Sequence, residues 1–312
     1  MAAVSWDDHV AGCLLGVFTG DALGRPWEGW RPSEGRSGAD RVAWLGRSEI
    51  LRYTDDTQLT IALALALLDD GAIDPEGFAR RILEVYEDER GYGAGMRSLV
   101  RRWREGMDVA AAVTSVFPEG SFGNGAAMRS APVALRWPDD PEKRADVARR
   151  QAMATHAHPV GIDGALVMTE AVALAAIRGG FGVDEMRQAA EAARTAQMGE
   201  PCGEAAEWVD KWSDGEVTLA EVAEALGNGV TADTSVPAAM WAAATGDRTV
   251  EVMSLALGLG GDADTIAAMA GAIHGAAVGR DGIPHDWIVR FEEGEWGVGR
   301  VLELAGQLAA LR

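Results

Sequence analysis

The chain has 312 residues, 48% of them hydrophobic, which is material for one large core or two modest ones. Its formal net charge of −20 argues against bulk nucleic-acid binding and against attachment to anionic membranes, because both polyanions are repelled; a nucleotide-sized ligand in one local site is still allowed. Two cysteines, Cys13 and Cys202, are too few for a disulfide framework or a thiolate zinc site, so a reducing, cytoplasmic compartment is expected.

The apolar residues from His9 to Phe18 predict a buried first helix, which Gly20-Asp21-Ala22-Leu23-Gly24 is expected to end. Asp7 and Asp8 stand where a secretory signal needs Lys or Arg, so no signal peptide is expected. Glu28 lies between Trp27 and Trp30 and beside Gly29, a poor setting for a plain solvated charge. Ser33 to Ser48 is Gly- and Arg-rich and reads as a mobile loop, with a short extended piece from Glu49 to Tyr53. Thr54-Asp55-Asp56-Thr57 then opens an apolar helix ending at Leu68, too short to span a bilayer.

Asp74-Pro75-Glu76 starts the next helix, with Phe78, Ile82 and Val85 at helical spacing, and Leu99 to Arg104 and Val109 to Val116 add two short pieces. Gly120-Ser121-Phe122-Gly123-Asn124-Gly125 is a glycine-rich loop ahead of a helix expected to start at Ala126-Ala127-Met128-Arg129. Backbone N–H groups in such a loop suit an anion, although the Lys of a Walker loop is missing and no strand precedes it. Phe122 at its tip offers a face to a planar base. Arg144 to Ala157 predicts a helix that must stop before Pro159, with Thr155-His156-Ala157-His158 as its exit. Two histidines two positions apart do not share a helix face, so a histidine zinc site is not expected.

Ile162 to Ile177, Val183 to Ala196, Ala220 to Leu226, Val236 to Ala244 and Glu251 to Leu259 continue the helical pattern. Pro201 to Thr218 reads as surface helix and loop, and Trp287 to Leu311 as two short amphipathic helices. No period-two strand run, heptad or fixed repeat interrupts the series, so residues 1–312 read as a single all-α, multi-helix domain.

One stretch stands out near the end: Gly260-Gly261-Asp262-Ala263-Asp264-Thr265, running into the nearly uninterrupted apolar segment Ile266 to Val278. It repeats the grammar of Thr54-Asp55-Asp56-Thr57, an oxygen cluster at the mouth of a buried helix. Helix capping explains one such side chain per helix. Each cluster holds more acids than a cap uses, with Arg52 as the one nearby cation, so bound cations are expected to relieve the repulsion. Thr54, Asp55, Asp56, Asp262, Asp264 and Thr265 offer only oxygen, which suits Mg²⁺ or Mn²⁺. Four carboxylates exceed what one Mg²⁺ normally takes, which points to a pair of ions about 3.5–4 Å apart. Serine-nucleophile motifs and Cys/His pairs are both absent, so metal-assisted hydrolysis is the reaction class these residues support.

Taken together, Gly16-Val17-Phe18-Thr19-Gly20-Asp21-Ala22-Leu23-Gly24 with Glu28, Thr54-Asp55-Asp56-Thr57, Gly120 to Arg129, Thr155-His156 and Gly261-Asp262-Ala263-Asp264-Thr265 resemble the ADP-ribosylglycohydrolase family. The resemblance spans Val10 to about Gly279. It implies an all-α fold and a binuclear Mg²⁺ or Mn²⁺ centre on Thr54, Asp55, Asp56, Asp262, Asp264 and Thr265 that grips the ribose hydroxyls. It also implies an ADP-ribose pyrophosphate along Ser121, Phe122, Gly123, Asn124 and Gly125, with His156 touching substrate and Phe122 near the adenine. Glu28 matches the family's acid near the metals, and Glu28 or Asp262, with Asp56 beside them, is expected to manage the catalytic proton. The implied partner is ADP-ribose or an ADP-ribosylated substrate. Departures around Trp27, Trp30 and Arg31 to Arg52 bear on the leaving group. Competing readings are a reader or structural member without turnover, or another metal-dependent hydrolase of nucleotide-like substrates; four aspartates and Glu28 all present weigh against the non-enzymes.

Overall fold

The computed structural model describes residues 4–44, 50–70 and 73–312. Residues 45–49, which end the loop expected over Ser33 to Ser48 and begin the extended piece expected from Glu49, lie outside the described residues. Helix α1 (Trp6–Gly24) begins where the Ser5 hydroxyl accepts the Asp8 amide, and a 3-10 turn at Arg25–Trp27 leads on to the short α2 (Ala39–Trp44). Next come α3 (Asp55–Asp70) and α4 (Pro75–Val85), the latter capped by the Asp74 carboxylate with Pro75 in its first turn. Helices α5 (Ala94–Arg104), α6 (Val109–Val116), α7 (Ala131–Arg136), α8 (Pro141–Met153) and α9 (Pro159–Arg178) follow. The chain continues through α10 (Val183–Ala190), α11 (Ala196–Ser213), α12 (Leu219–Leu226), α13 (Ala232–Thr245), α14 (Thr249–Leu259) and α15 (Ala263–Val278). It closes with α16 (His285–Ile288) and α17 (Val298–Ala309). Among the described residues the β pairing is limited to isolated bridges, Leu51 with Phe291 and Gly123 with Thr231, so the fold is all-α.

Helix α15 is the centre: every residue from Ala263 to Ala277 is buried, with α1 along one side and α9, α13 and α14 around the rest. The expected end of the first helix at Gly20 to Gly24 is corrected, since α1 runs on through these glycines. They serve close packing. Gly12, Gly16, Gly20 and Gly24 fall four apart on one face, and α15 lies antiparallel against them, with Gly275, Gly271, Ala267 and Asp264 at successive levels. A Cβ on Gly20 would sit 1.9 Å from the Ala267 carbonyl oxygen, and one on Gly271 2.1 Å from that of Gly16. The two backbones therefore touch, and the C-terminal end of α1 lies beside the N-terminal end of α15. Gly20→Ala is expected to force these helices apart and cost about 3 kcal/mol, read as a lower urea midpoint at unchanged slope.

Other limits move for local reasons. The part of Ser33 to Ser48 that is described is not a free loop: Ser33 donates to the Gly258 carbonyl, the Arg41 guanidinium to those of Leu257 and Arg31, and α2 packs on α14. The helix expected at Ala126 is a 3-10 turn over Asn124–Ala126, and α7 waits until Ala131, where Pro132 fits the first turn. The helix expected to reach Ala157 stops at Met153, because Arg129 takes the Gln151 carbonyl and the Thr155 hydroxyl. Val183 to Ala196 breaks after Ala190, where Asp163 accepts the Arg194 and Thr195 amides and the Thr195 hydroxyl. Pro201 to Thr218 is half core: Cys202, Ala205, Ala206 and Val209 of α11 are buried, and Trp212 sits edge-on to Trp241. Helix α9 is long and apolar enough to cross a membrane, yet 83% of that window is buried inside the fold.

Candidate active site

The N-terminal ends of α3 and α15 meet. The Thr265 hydroxyl donates to Asp56 Oδ2 at 3.3 Å, across 209 positions of sequence, and the Thr54 hydroxyl reaches the same oxygen at 3.3 Å. Glu28, Asp262 and Asp264 bring one carboxylate oxygen each within 4.8 Å of one another. Glu28, Thr54, Asp55, Asp56, Asp262, Asp264 and Thr265 all line one cavity of about 350 Å³.

Three devices hold these ends in place. The first is Asp21, fully buried in α1, whose carboxylate accepts the Thr54 amide and hydroxyl and the Thr57 amide and hydroxyl at 2.6–3.0 Å. The second is the double-glycine turn before α15. Gly260 and Gly261 have φ of 68° and 65°, and a Cβ on Gly261 would lie 2.0 Å from the Asn228 carbonyl, so only glycine fits. That turn exchanges hydrogen bonds with the Glu28 loop, Gly29 N–H to the Gly261 carbonyl at 2.7 Å and Gly261 N–H to that of Trp30 at 2.8 Å. The third is an asparagine pair: Asn228 accepts the Asp262 amide on its carbonyl while its side chain donates to Leu259, and the Asn124 amide donates to Asp262 Oδ2.

Reading residues one at a time missed Asp21 and Asn228. An acid in the interior of an apolar, glycine-spaced helix was the available signal for Asp21, since such a group has to be satisfied by something brought to it. An amide has one acceptor oxygen where the carboxylate uses two. Asp21→Asn is therefore expected to release part of the Thr54 to Thr57 turn and cost about 2–4 kcal/mol, measured by urea unfolding.

Burial pushes the acids up, and the neighbouring acids push them further. Asp55 is raised to about 8 by desolvation, then by Asp21 and other carboxylates. Asp262 is raised to about 6 by desolvation, with Asn124 opposing and Glu28 reinforcing. Asp56 and Asp264 lie well above the carboxylate range for the same reasons. Arg129 is the one Lys or Arg among the described residues lining the cavity; its Nε and Nη2 donate to Gln151 and Thr155, none of its bonds goes to an acid, and Nη1 has no hydrogen-bond partner among the described residues. Buried Asp56 Oδ1 has no hydrogen-bond partner among the described residues. An orphaned carboxylate oxygen, an oxygen-only donor set and crowded acids with no cationic partner to favour their ionisation fit hard divalent cations, and these residues fit no soft metal.

Ser121, Gly123, Asn124, Gly125 and His156 line the other wall of the cavity. The Asn124 backbone N–H donates to the Val230 carbonyl, and the Gly123 backbone N–H donates to the Ser121 hydroxyl. The His156 ring packs on the loop, where a Cβ at Gly125 would lie 2.9 Å from its Cε1. Burial, then Arg129, lowers His156 to about 3, so the ring is neutral. Phe122, on the same loop, is half exposed, stands edge-on to His158 and is not among the lining residues. Met96, Leu99, Phe117, Met128 and Val230 form an apolar side of the cavity that local sequence does not distinguish from ordinary core.

Comparison with known proteins adds the following. The model of the ADP-ribosylglycohydrolase family matches residues 2–312. ADP-ribosylhydrolase ARH3 of Danio rerio is 33% identical over 355 residues, covering 99% of this chain and 92% of the relative, and that of Bos taurus is 32% identical over 327 residues, covering 88% and 86%. The ADP-ribosyl-[dinitrogen reductase] glycohydrolase of Rhodospirillum rubrum is 28% identical over 300 residues, covering 94% and 93%. A solved structure described as an ADP-ribosylglycohydrolase-related protein complex superimposes with a TM-score of 0.68 at 27% identity, covering 98% of both chains.

Proposed function

Because the chain belongs to the ADP-ribosylglycohydrolase family, we propose that it hydrolyses the bond joining ADP-ribose to a protein side chain or to a small conjugate, with two Mg²⁺ or Mn²⁺ ions as cofactors. The observation that carries this reading is the meeting of both acidic turns with Glu28 at one cavity. Thr54, Asp55, Asp56, Asp262, Asp264 and Thr265 would hold the ions. When bound, the ions would neutralise the buried carboxylates and polarise the ribose hydroxyls beside the scissile bond.

The chain's own residues then divide the work. The glycine loop and His156 take the pyrophosphate oxygens, and the apolar side around Met96, Leu99 and Phe117 takes the base. Glu28 is the exposed acid of the group, whereas one oxygen of Asp262 is occupied by the Asn124 amide. That difference supports Glu28 as the group that takes the proton of a water attacking the anomeric carbon, while the leaving group departs toward the mouth and is protonated there. Asp262 and Asp56 hold the ribose end in register.

Arginine-linked, serine-linked and O-acetylated ADP-ribose, incubated separately with the protein and Mg²⁺ or Mn²⁺, test this directly. Release of free ADP-ribose from at least one is expected. Binding without release from all three, or release of phosphate alone, would replace the reading with a binding protein or a different nucleotide hydrolase.

A further inference from the structure

Beneath the glycine loop, one buried chain of hydrogen bonds reaches His156. Arg129 is fully buried; its Nε donates to Gln151 Oε1 at 2.8 Å and its Nη2 to the Gln151 carbonyl at 2.9 Å and to Thr155 Oγ1 at 2.7 Å. Gln151 in turn donates to the Ala126 carbonyl at 2.9 Å, which ties the assembly to the glycine loop. Thr155 Oγ1 lies 2.7 Å from His156 Nδ1.

Proton accounting leaves one arrangement. A guanidinium only donates, so Thr155 Oγ1 accepts from Arg129 and keeps its own hydrogen to give. Thr155 is fully buried, and among the described residues His156 Nδ1 is the acceptor its hydroxyl reaches. A proton on Nδ1 would leave that buried hydroxyl hydrogen with nothing to bond, at a cost of about 1–3 kcal/mol. We propose that Arg129, acting through the Thr155 hydroxyl, is a positioning residue that holds His156 as the neutral tautomer protonated on Nε2, so that His156 presents one fixed hydrogen-bond donor to a substrate oxygen at the glycine loop. The ligand half of this inference rests on the reading of the cavity as an ADP-ribose site. The tautomer half does not, because it concerns the free protein.

Nitrogen NMR of the full chain with ¹⁵N-labelled histidine, with the His156 signals identified by their loss in His156→Gln, reads the tautomer directly. The free protein is expected to show a protonated Nε2 and a bare Nδ1. Thr155→Ser keeps the hydroxyl and is expected to keep both the tautomer and the ADP-ribose affinity within about threefold, whereas Thr155→Val is expected to mix the tautomers and weaken ADP-ribose binding about tenfold. Turnover by Thr155→Val should show the loss in KM with kcat less affected, a split that a general loss of fold does not produce. If Thr155→Val does not fold, the wild-type and Thr155→Ser spectra still decide. A proton on Nδ1 in the free wild type, or an unchanged tautomer in Thr155→Val, overturns the inference whatever the activity. The expected tautomer with no ADP-ribose binding by the wild type overturns the substrate reading and, with it, the ligand half alone.

Discussion

Asp262→Ala is expected to lower kcat/KM for ADP-ribose release by about 10³-fold or more, equivalent to about 4 kcal/mol of transition-state stabilisation, while the protein stays folded. The size follows from position. Asp262 stands within 4.8 Å of both Glu28 and Asp264, takes the Asn124 amide, and has its own amide held by Asn228. Losing its carboxylate removes a donor to the proposed ions and also unfastens the glycine loop from the acidic cluster. The fold survives because the lost group is a strained one, an acid raised to about 6 by burial and by Glu28. The Asn124 amide left behind faces a cavity that water can enter. Asp56→Ala is expected to behave alike, since Asp56 joins the two turns through the Thr265 hydroxyl. Circular dichroism and a melting curve next to the turnover assay separate chemistry from folding, and activity within tenfold of wild type in either variant would remove these residues from the site.

Removal of divalent cations carries the second large effect, and its sign with pH is opposite to that of ordinary salt-bridged acids. Asp262 and Asp55 titrate near 3.9 when unfolded but are raised to about 6 and about 8 in the fold, so between those values the folded state binds the extra protons. The stabilisation is complete below the unfolded pKa and is lost as pH rises through the folded ones. In the chelated protein the melting temperature is therefore expected to fall from pH 5 to pH 8. Mg²⁺ or Mn²⁺ at 100 times its Kd is expected to restore about 2.7 kcal/mol, a rise of about 4 °C, and the gap between loaded and chelated protein should widen with pH because cations and protons compete for the same oxygens. A melting curve indifferent to chelation, or one that rises with pH in the chelated protein, would count against the proposed cofactors.

Most helices were legible because their signals are local. Asp74 before Pro75, and apolar positions three and four apart in α4, act within a single turn, and Val109–Val116 is set by the Asp108 cap and its own periodicity. The misreadings share a cause in distant partners. Gly20 and Gly24 look like breakers until Ala267 and Asp264 are laid against them, and Ala157 looks helical until Arg129 claims the preceding turn.

The sequence by itself determined that this is an all-helical chain with two over-acidic turns at the mouths of buried helices, an isolated acid at Glu28 and a glycine loop, since each depends only on neighbours along the chain. Tertiary structure alone decided that these pieces share one cavity. The glycine face of α1 lets α15 approach to backbone contact, Asp21 then reaches across to hold the Thr54 to Thr57 turn, and carboxylates from the two far-separated turns are brought close together at one cavity, most of them buried.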